Sequence, residues 1–178
     1  MKNLQKIRVP AGFAYAALFL IFAGPHSTWF AVGIGIALLG MALRIWASGH
    51  IEKGRKLAVS GPYRWTRSPL YFGSFLLGLG LTLAGSQLWL VLLFTSFFLL
   101  IYLPVMHKEE KELRRAFGAE FEAYRREVPL FLPGLRVRRS SDRPETSNFQ
   151  WRLVILNREY NAVIGLIFFA VLIYLKMV

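Results

Sequence analysis

The longest uncharged stretch of the chain lies between Arg67 and His107, and it limits the possible folds more than any other feature. The turn-like pair Gly85-Ser86 divides it into two apolar runs of about 18 residues, and each run comes close to crossing a hydrocarbon core about 30 Å thick. Neither run has a polar face. The stretch therefore predicts a transmembrane helical hairpin, because a helix satisfies its own backbone hydrogen-bonding groups in lipid.

Three further apolar runs extend this hairpin to a bundle. The first run follows a basic N-terminus, as in a signal peptide, but no small-x-small cleavage site stands out and a second run follows almost at once. The sequence thus predicts an all-α, polytopic transmembrane helical bundle that forms a single membrane domain, 1–178. Its about five spans are predicted at 9–24, 28–47, 69–85, 87–106 and 158–176. The glycines predicted to let these helices pack closely are Gly33, Gly35, Gly40, Gly78 and Gly80.

The chain combines 55 % hydrophobic residues with a formal net charge of +12. Of its 22 Lys and Arg residues, only Lys176 falls on the far side of the predicted spans. The positive-inside rule therefore predicts an integral, multi-pass membrane protein whose N-terminus and large loops are cytoplasmic and whose C-terminus is external. Basic loops can lie against the anionic inner leaflet of a lipid bilayer, which accounts for the charge without a nucleic-acid partner.

The segment that follows the hairpin, about 107–126, has the periodicity of an amphipathic helix. Its apolar residues recur at intervals of three or four along one face, whereas the other face is charged. These apolar residues are Leu113, Phe117, Phe121 and Tyr124. Such a helix is expected in the cytoplasmic membrane interface, where it covers the mouth of the bundle. The next segment, about 134–150, is rich in Arg, Ser and Pro and predicts a solvated cytoplasmic connector.

The same helical spacing places Glu110 on the apolar face, three residues before Leu113. In a structural interpretation, Glu109 and Glu110 are first-turn acids that complement the helix dipole. In a functional interpretation, Glu110 points into a pocket between this helix and the spans and faces a polar or cationic ligand. Glu112 is expected on the opposite, charged face.

Two other polar clusters flank the spans. Residues 60–73 lead into the third span. Gly61-Pro62 marks a turn there, and Pro69 suits a first helical position. In a purely structural interpretation, the segment is only a helix entry flanked by interfacial aromatic residues and Arg. Residues 157–161 lie at the mouth of the fifth span. Local capping and an Arg-Glu pair account for them structurally, whereas ionisable groups at the entrance of a span can also line a functional site. The chain lacks cysteine and its histidines lack metal-ligand spacing, so no metal site is predicted.

In their order along the chain, these clusters resemble the isoprenylcysteine carboxyl methyltransferase and phospholipid N-methyltransferase superfamily. The resemblance covers roughly residues 50–134 and rests on several positions in fixed order. They are Gly61-Pro62-Tyr63, Arg67-Ser68-Pro69-Leu70-Tyr71-Phe72-Gly73, Glu109-Glu110, Leu113, Phe117-Gly118, Tyr124 and Val128-Pro129. Many members have His or Asn where this chain has Ser68, so no role for an imidazole is implied at that position.

The resemblance implies a helical membrane enzyme that binds S-adenosylmethionine in a cytoplasm-facing pocket and methylates a lipophilic carboxylate or amine. The cofactor-binding residues are then expected to be Tyr63, Pro69, Tyr71, Gly73, Glu109 and Glu110. The catalytic candidates are Arg67, which would bind an anionic part of the cofactor or acceptor, and Arg158 and Glu159, which would act on the acceptor side.

Methyl transfer from a sulfonium needs an in-line approach to an activated methyl group, so positioning is most of the task. A low-dielectric pocket would strengthen the attraction between a carboxylate and the positive charge of the cofactor. Two alternatives remain open at this point. A distant resemblance to the C-terminal half of membrane sterol reductases predicts an NADPH-dependent reductase, and a non-catalytic membrane scaffold or lipid-binding protein would keep the same bundle.

Overall fold

The computed structural model describes residues 2–52, 56–134 and 148–178, and over these residues the protein is helical and contains no strand. The predicted all-α fold class is confirmed. The predicted connector, about 134–150, falls mostly outside the described residues. The helices are α1 (Lys2–Phe22), α2 (Ser27–Ser48), α3 (Pro69–Ala84), α4 (Leu88–Glu127), α5 (Trp151–Leu156) and α6 (Tyr160–Met177), with a 3-10 turn at Gly61–Arg64 between α2 and α3.

Three of these helices, α2, α4 and α6, are long and apolar enough to cross a membrane. Gly12–Phe22 of α1 and the whole of α3 are shorter apolar helices, which brings the bundle to the about five spans predicted. Large apolar side chains lie exposed on the outer surface of the bundle, including Leu39, Leu100 and Ile167. Such a surface is stable in lipid, and the protein is an integral membrane protein.

The helix α4 is 40 residues long, so the predicted fourth span and the amphipathic helix form one element. A kink interrupts it at Gly118, where φ is 51° and ψ is −122°. An L-residue with a side chain would be strained in this backbone conformation, which glycine tolerates. Beyond the kink, the buried side chains of Phe121 and Tyr124 pack with Leu57. The kink therefore turns the end of α4 against the loop that follows α2.

Small residues bring the backbones of α2 and α3 into contact. A Cβ atom added to Gly33 would lie 2.4 Å from the carbonyl oxygen of Gly80, and one added to Gly40 would lie 2.5 Å from the nitrogen of Leu77. Lipid supplies little hydrophobic driving force between helices, so membrane helices associate largely through the dispersion energy of close contacts such as these. Gly35 faces away from this contact, with nothing within 4 Å of an added Cβ, so its predicted packing role is wrong.

A largely buried ion pair joins three of the helices, with the Arg44 side chain 22 % exposed and that of Glu159 5 % exposed. The guanidinium of Arg44 on α2 donates two hydrogen bonds to the carboxylate of Glu159, from Nε to Oε2 at 2.9 Å and from Nη2 to Oε1 at 3.0 Å. Its Nη1 also donates to the hydroxyl of Ser74 on α3. Glu159 precedes α6 and is only 4 % exposed. The pair therefore ties the start of α6 to α2 and α3.

The orientation of the bundle stays a prediction of the charge distribution. With the N-terminus inside, reporters inserted at Ser86 and fused after Val178 should both be active only when the reporter works outside the cytoplasm. A reporter inserted after Gly134 should behave in the opposite way. A C-terminal fusion that is active only in the cytoplasm would reject either the span count or the orientation.

Candidate functional site

A cavity of about 410 Å³ opens beside the C-terminal half of α4. Its walls come from residues 51–52 and 56–58 after α2, from the stretch 63–71 that leads into α3, and from residues 106–124 of α4. A volume of this size falls within the range of about 300–1,000 Å³ that is usual for small-molecule sites. The cavity thus gathers three separate segments around a space that fits a ligand.

Two carboxylates in the lining of this cavity have close partners within the protein. The Oε1 atom of Glu110 lies 2.8 Å from Nη1 of Arg67, and both side chains are largely buried. The Tyr71 hydroxyl donates a 2.6 Å hydrogen bond to Oε1 of Glu109. Burial lowers the pKa of the Arg67 guanidinium, and the neighbouring Glu110 carboxylate opposes that shift. These contacts hold both carboxylates in place without a ligand.

The described residues that line the cavity carry a net charge opposite in sign to that of the chain. Among the described residues, the lining contains four carboxylates and two cations, whereas the whole chain has a formal net charge of +12. The carboxylates belong to Glu52, Glu109, Glu110 and Glu112, and the cations to Lys56 and Arg67. A concave, acidic surface with low-dielectric walls concentrates positive ligands. The lining therefore favours a cationic ligand.

The remaining walls of the cavity are apolar. They are formed by Leu57, Leu70, Met106, Leu113, Phe117 and Phe121. Side chains of this kind keep the local dielectric low, which strengthens any interaction between the carboxylates and a ligand charge. Because Leu70 and Met106 lie on α3 and α4, the apolar wall continues into helices of the bundle.

Two hydrogen bonds hold the turn before α3 against the end of α4. The backbone N–H of Arg67 donates to the carbonyl of Pro129 at 2.9 Å. The Tyr124 hydroxyl donates to the carbonyl of Tyr63 at 2.6 Å, in a buried position. Both bonds join residues that are about 60 positions apart in the chain. They fix the turn relative to α4 and therefore fix Arg67 relative to Glu110.

Most of the site residues predicted from the sequence meet at this cavity. Those that line it are Tyr63, Arg67, Pro69, Tyr71, Glu109 and Glu110. Gly73, Arg158 and Glu159 are not among its lining residues. Gly73 instead packs on α2, since an added Cβ would lie 2.8 Å from Cγ of Arg44. Glu159 is bound to Arg44, and Arg158 is exposed.

Sequence reasoning missed two features of this region. Arg44 was counted only as part of the charge asymmetry, although a lone cation within an apolar run is a signal for a buried partner. Glu112 lies on the charged face of α4, as expected, with Oε1 3.7 Å from Nζ of Lys108 and a side chain that is 61 % exposed. Its place in the lining of the cavity was not predicted. The spacing along α4 does not reveal how far the cavity extends around the helix.

Known proteins are similar to this chain over most of the segments that line the cavity. A family profile described as phospholipid methyltransferase matches residues 27–120, which include α2, α3 and most of α4. The nickel-cobalt-cadmium resistance protein NccN of Alcaligenes xylosoxydans xylosoxydans is 32 % identical over 126 residues, which are 65 % of this chain and 59 % of that protein. The cobalt-zinc-cadmium resistance protein CzcN of Cupriavidus metallidurans is 32 % identical over 139 residues, which are 74 % of this chain and 64 % of that protein. The chain thus spans less than two thirds of either relative, and no solved structure matches it.

Proposed function

The chain belongs to the phospholipid methyltransferase family, and from that premise we propose that it transfers a methyl group from S-adenosylmethionine to a lipophilic carboxylate or amine at the membrane. The observation that carries the proposal is the acidic cavity within a strongly basic chain. S-Adenosylmethionine has a sulfonium, an ammonium and a carboxylate, and is therefore a net cation. Its charge complements that of the cavity.

The residues of the cavity act mainly by holding the cofactor in position. Because Arg67 fixes Glu110 and Tyr71 fixes Glu109, both carboxylates are ordered before binding, which lowers the entropic cost of association. When bound, S-adenosylmethionine supplies a methyl group that passes to a lone pair of the acceptor while sulfur keeps the bonding electrons. The apolar walls exclude water, so that the acceptor group is less solvated where it reacts.

A lipophilic acceptor can reach the cavity along the bundle. Leu70 and Met106 line the cavity and belong to α3 and α4, which are apolar membrane helices. An acceptor with a hydrocarbon chain would leave that chain among apolar side chains and lipid while its polar head enters the cavity. We therefore propose that the membrane itself delivers the acceptor, and that the cytoplasm delivers the cofactor.

The direct test of the proposed function is ligand-dependent stability. A ligand that binds only the folded protein raises its thermal unfolding midpoint by mass action. S-Adenosylmethionine should raise the midpoint of the detergent-solubilised protein, and NADPH at the same concentration should leave it unchanged. Stabilisation by NADPH alone would support the reductase alternative, and the absence of any S-adenosylmethionine binding in calorimetry would support a non-catalytic scaffold.

Glu110 is the carboxylate with which this site can be tested most sharply. Glu110→Gln keeps the shape of the side chain, and an amide oxygen can still accept from Arg67. The change should weaken S-adenosylmethionine binding by about 1.5 to 3 kcal/mol, the usual contribution of a hydrogen bond to a charged group. Isothermal titration calorimetry measures this loss.

Glu120→Gln is the matched control for this substitution. Glu120 lies on the same helix, is exposed, and is not among the lining residues of the cavity. Its replacement should change the binding free energy by only a few tenths of a kcal/mol. Equal losses in both variants would remove Glu110 from the proposed site.

The two relatives are named for metal resistance, which suggests a physiological setting for the proposed activity. We propose that methylation of a lipophilic membrane component, rather than metal binding by this chain, would contribute to such resistance. Cells that depend on this protein for growth in cobalt, zinc or cadmium should then lose tolerance with Glu110→Gln. Full tolerance with a variant that no longer binds the cofactor would reject this role.

A further inference from the structure

The five tryptophans of the chain lie at or near the ends of helices, and each is between 43 % and 66 % exposed. Trp29 is the third residue of α2 and Trp46 is the third from its end. The two residues therefore lie about 25 Å apart along the helix axis, at about 1.5 Å per residue. Tryptophan is enriched at both interfaces of a membrane, whose hydrocarbon core is about 30 Å thick. Trp29 and Trp46 thus mark the levels at which α2 enters and leaves this core.

The short helix α5 lies across the end of α2, close to the level that Trp46 marks. The backbone N–H of Gln150, just before α5, donates to the carbonyl of Gly49 at 2.9 Å. The Asn157 side chain, just after α5, donates from Nδ2 to the carbonyl of Ser48 at 3.1 Å. Because both ends of α5 bind adjacent carbonyl groups at the end of α2, the axis of α5 runs across that of α2 and not along it. The helix α5 therefore lies roughly parallel to the membrane plane.

The exposed face of α5 is apolar and basic. Leu153 and Val154 are buried and form the opposite face of the helix. The large apolar side chains left exposed are Trp151 at 66 %, Ile155 at 67 % and Leu156 at 63 %. Arg152 in α5 and Arg158 after it are exposed as well. Contact of such an apolar face with water is unfavourable, whereas a membrane interface accommodates apolar side chains and cations on one amphipathic helix.

We propose that α5 binds the surface of the bilayer, with its apolar side chains at the boundary of the acyl chains and with Arg152 and Arg158 against anionic phospholipid headgroups. Only three residues separate α5 from α6, an apolar helix that can cross the membrane. A connection this short spans at most about 14 Å, so α5 stays near the level at which α6 enters lipid. The first turns of α6 expose Tyr160 and Ile164, so its contact with lipid begins next to α5. Anionic headgroups complement the positive charge of the two arginines.

Spin labels on single cysteines test this position, because the chain has no cysteine of its own. Ile155→Cys places a label on α5, and two exposed positions serve as controls, Glu120→Cys on α4 and Ile167→Cys on α6. In vesicles of mixed phosphatidylcholine and phosphatidylglycerol, oxygen concentrates in lipid and a nickel chelate stays in water. The ratio of oxygen to nickel collisions at position 155 should exceed that at position 120 several-fold and remain below that at position 167.

The charge of the lipid provides the second measurement. In the same vesicles, Arg152→Gln combined with Arg158→Gln should lower the collision ratio of the label at position 155 by about twofold or more. In pure phosphatidylcholine, the two changes should leave this ratio unaltered. Arg115→Gln combined with Arg126→Gln, at two exposed arginines of α4, is the matched control and should have no effect on the ratio in either lipid.

Three results would overturn the inference. A collision ratio at position 155 equal to that at position 120 would place the exposed face of α5 in water. Few collisions with either reagent at position 155 would show that another part of the chain or a second protein covers this face. An unchanged ratio in the variant with Arg152→Gln and Arg158→Gln would show that anionic headgroups are not bound. Leu156→Cys repeats the measurement on the same face, so that one variant that fails to fold does not decide the outcome.

Discussion

Replacing Gly33 by alanine is expected to disrupt the bundle more than any other addition of a single methyl group to α2. The new Cβ atom would lie 2.4 Å from the carbonyl oxygen of Gly80 and 2.5 Å from the nitrogen of Ala84. Both neighbours are backbone atoms of α3, so no side chain can rotate away and the helices must separate. We expect a loss of about 3 kcal/mol or more, which corresponds to a fall of roughly 6 to 12 °C in the unfolding midpoint in detergent.

Gly35→Ala provides a matched control two residues along the same helix. Nothing lies within 4 Å of a Cβ atom added there, so the substitution creates no clash. Alanine also restricts the unfolded chain more than glycine does, and the variant should be as stable as the unmodified protein or more stable by about 0.5 to 1 kcal/mol. Similar midpoints for the two variants would show that α2 and α3 do not approach as closely as described.

Removing the carboxylate of Glu159 is the second change with a large expected effect. Glu159→Leu would leave the Arg44 guanidinium without its ion-pair partner among three packed helices. Breaking a buried ion pair by removing one partner costs about 3 to 5 kcal/mol, because the remaining charge is uncompensated. The unfolding midpoint should fall by about 6 °C or more. The affinity for S-adenosylmethionine of the protein that remains folded should stay unchanged, since Glu159 does not line the cavity.

A double-mutant cycle separates the pair from its surroundings. Arg44→Leu combined with Glu159→Leu removes both charges, and most of the lost stability should return, because apolar side chains can replace a buried ion pair at little cost. Glu112→Leu serves as the exposed comparison. Its Oε1 atom lies 3.7 Å from Nζ of Lys108, and the two side chains are 61 % and 45 % exposed, so the change should cost less than about 1 kcal/mol. A double variant as unstable as the sum of its single variants would show that the two charges are not coupled.

The sequence predicted those parts of the candidate site whose residues lie on a single helix. Glu110 was expected beside Leu113 and Phe117, and the structure places all three in the lining of one cavity. The contacts of Glu110 could not be predicted in this way. Its partner Arg67 precedes α3, and the two residues meet only because the turn before α3 is hydrogen-bonded to the end of α4. The resemblance to a family supplied the position of Arg67, whereas spacing along the chain did not.

Hydropathy by itself determined that this protein is an all-helical membrane bundle. The lack of charge between Arg67 and His107 leaves no soluble alternative, since lipid accepts only backbone that satisfies its own hydrogen bonds. The sequence also determined which face of α4 is apolar, because side-chain direction repeats with the helical period within one element. These are local properties, and each can be read from a window of about 20 residues.

Only the tertiary structure decided how the helices face one another. Gly33 and Gly35 are equivalent in hydropathy, yet only Gly33 contacts α3, because the rotation of α2 about its axis depends on all of its neighbours. The pairing of Arg44 with Glu159, which are 115 residues apart, depends on the same geometry. So does the position of Tyr63, which belongs to the cavity lining and whose carbonyl accepts a hydrogen bond from Tyr124. Contacts between helices depend on crossing angles and rotations that no single segment encodes, and the bundle as a whole sets them.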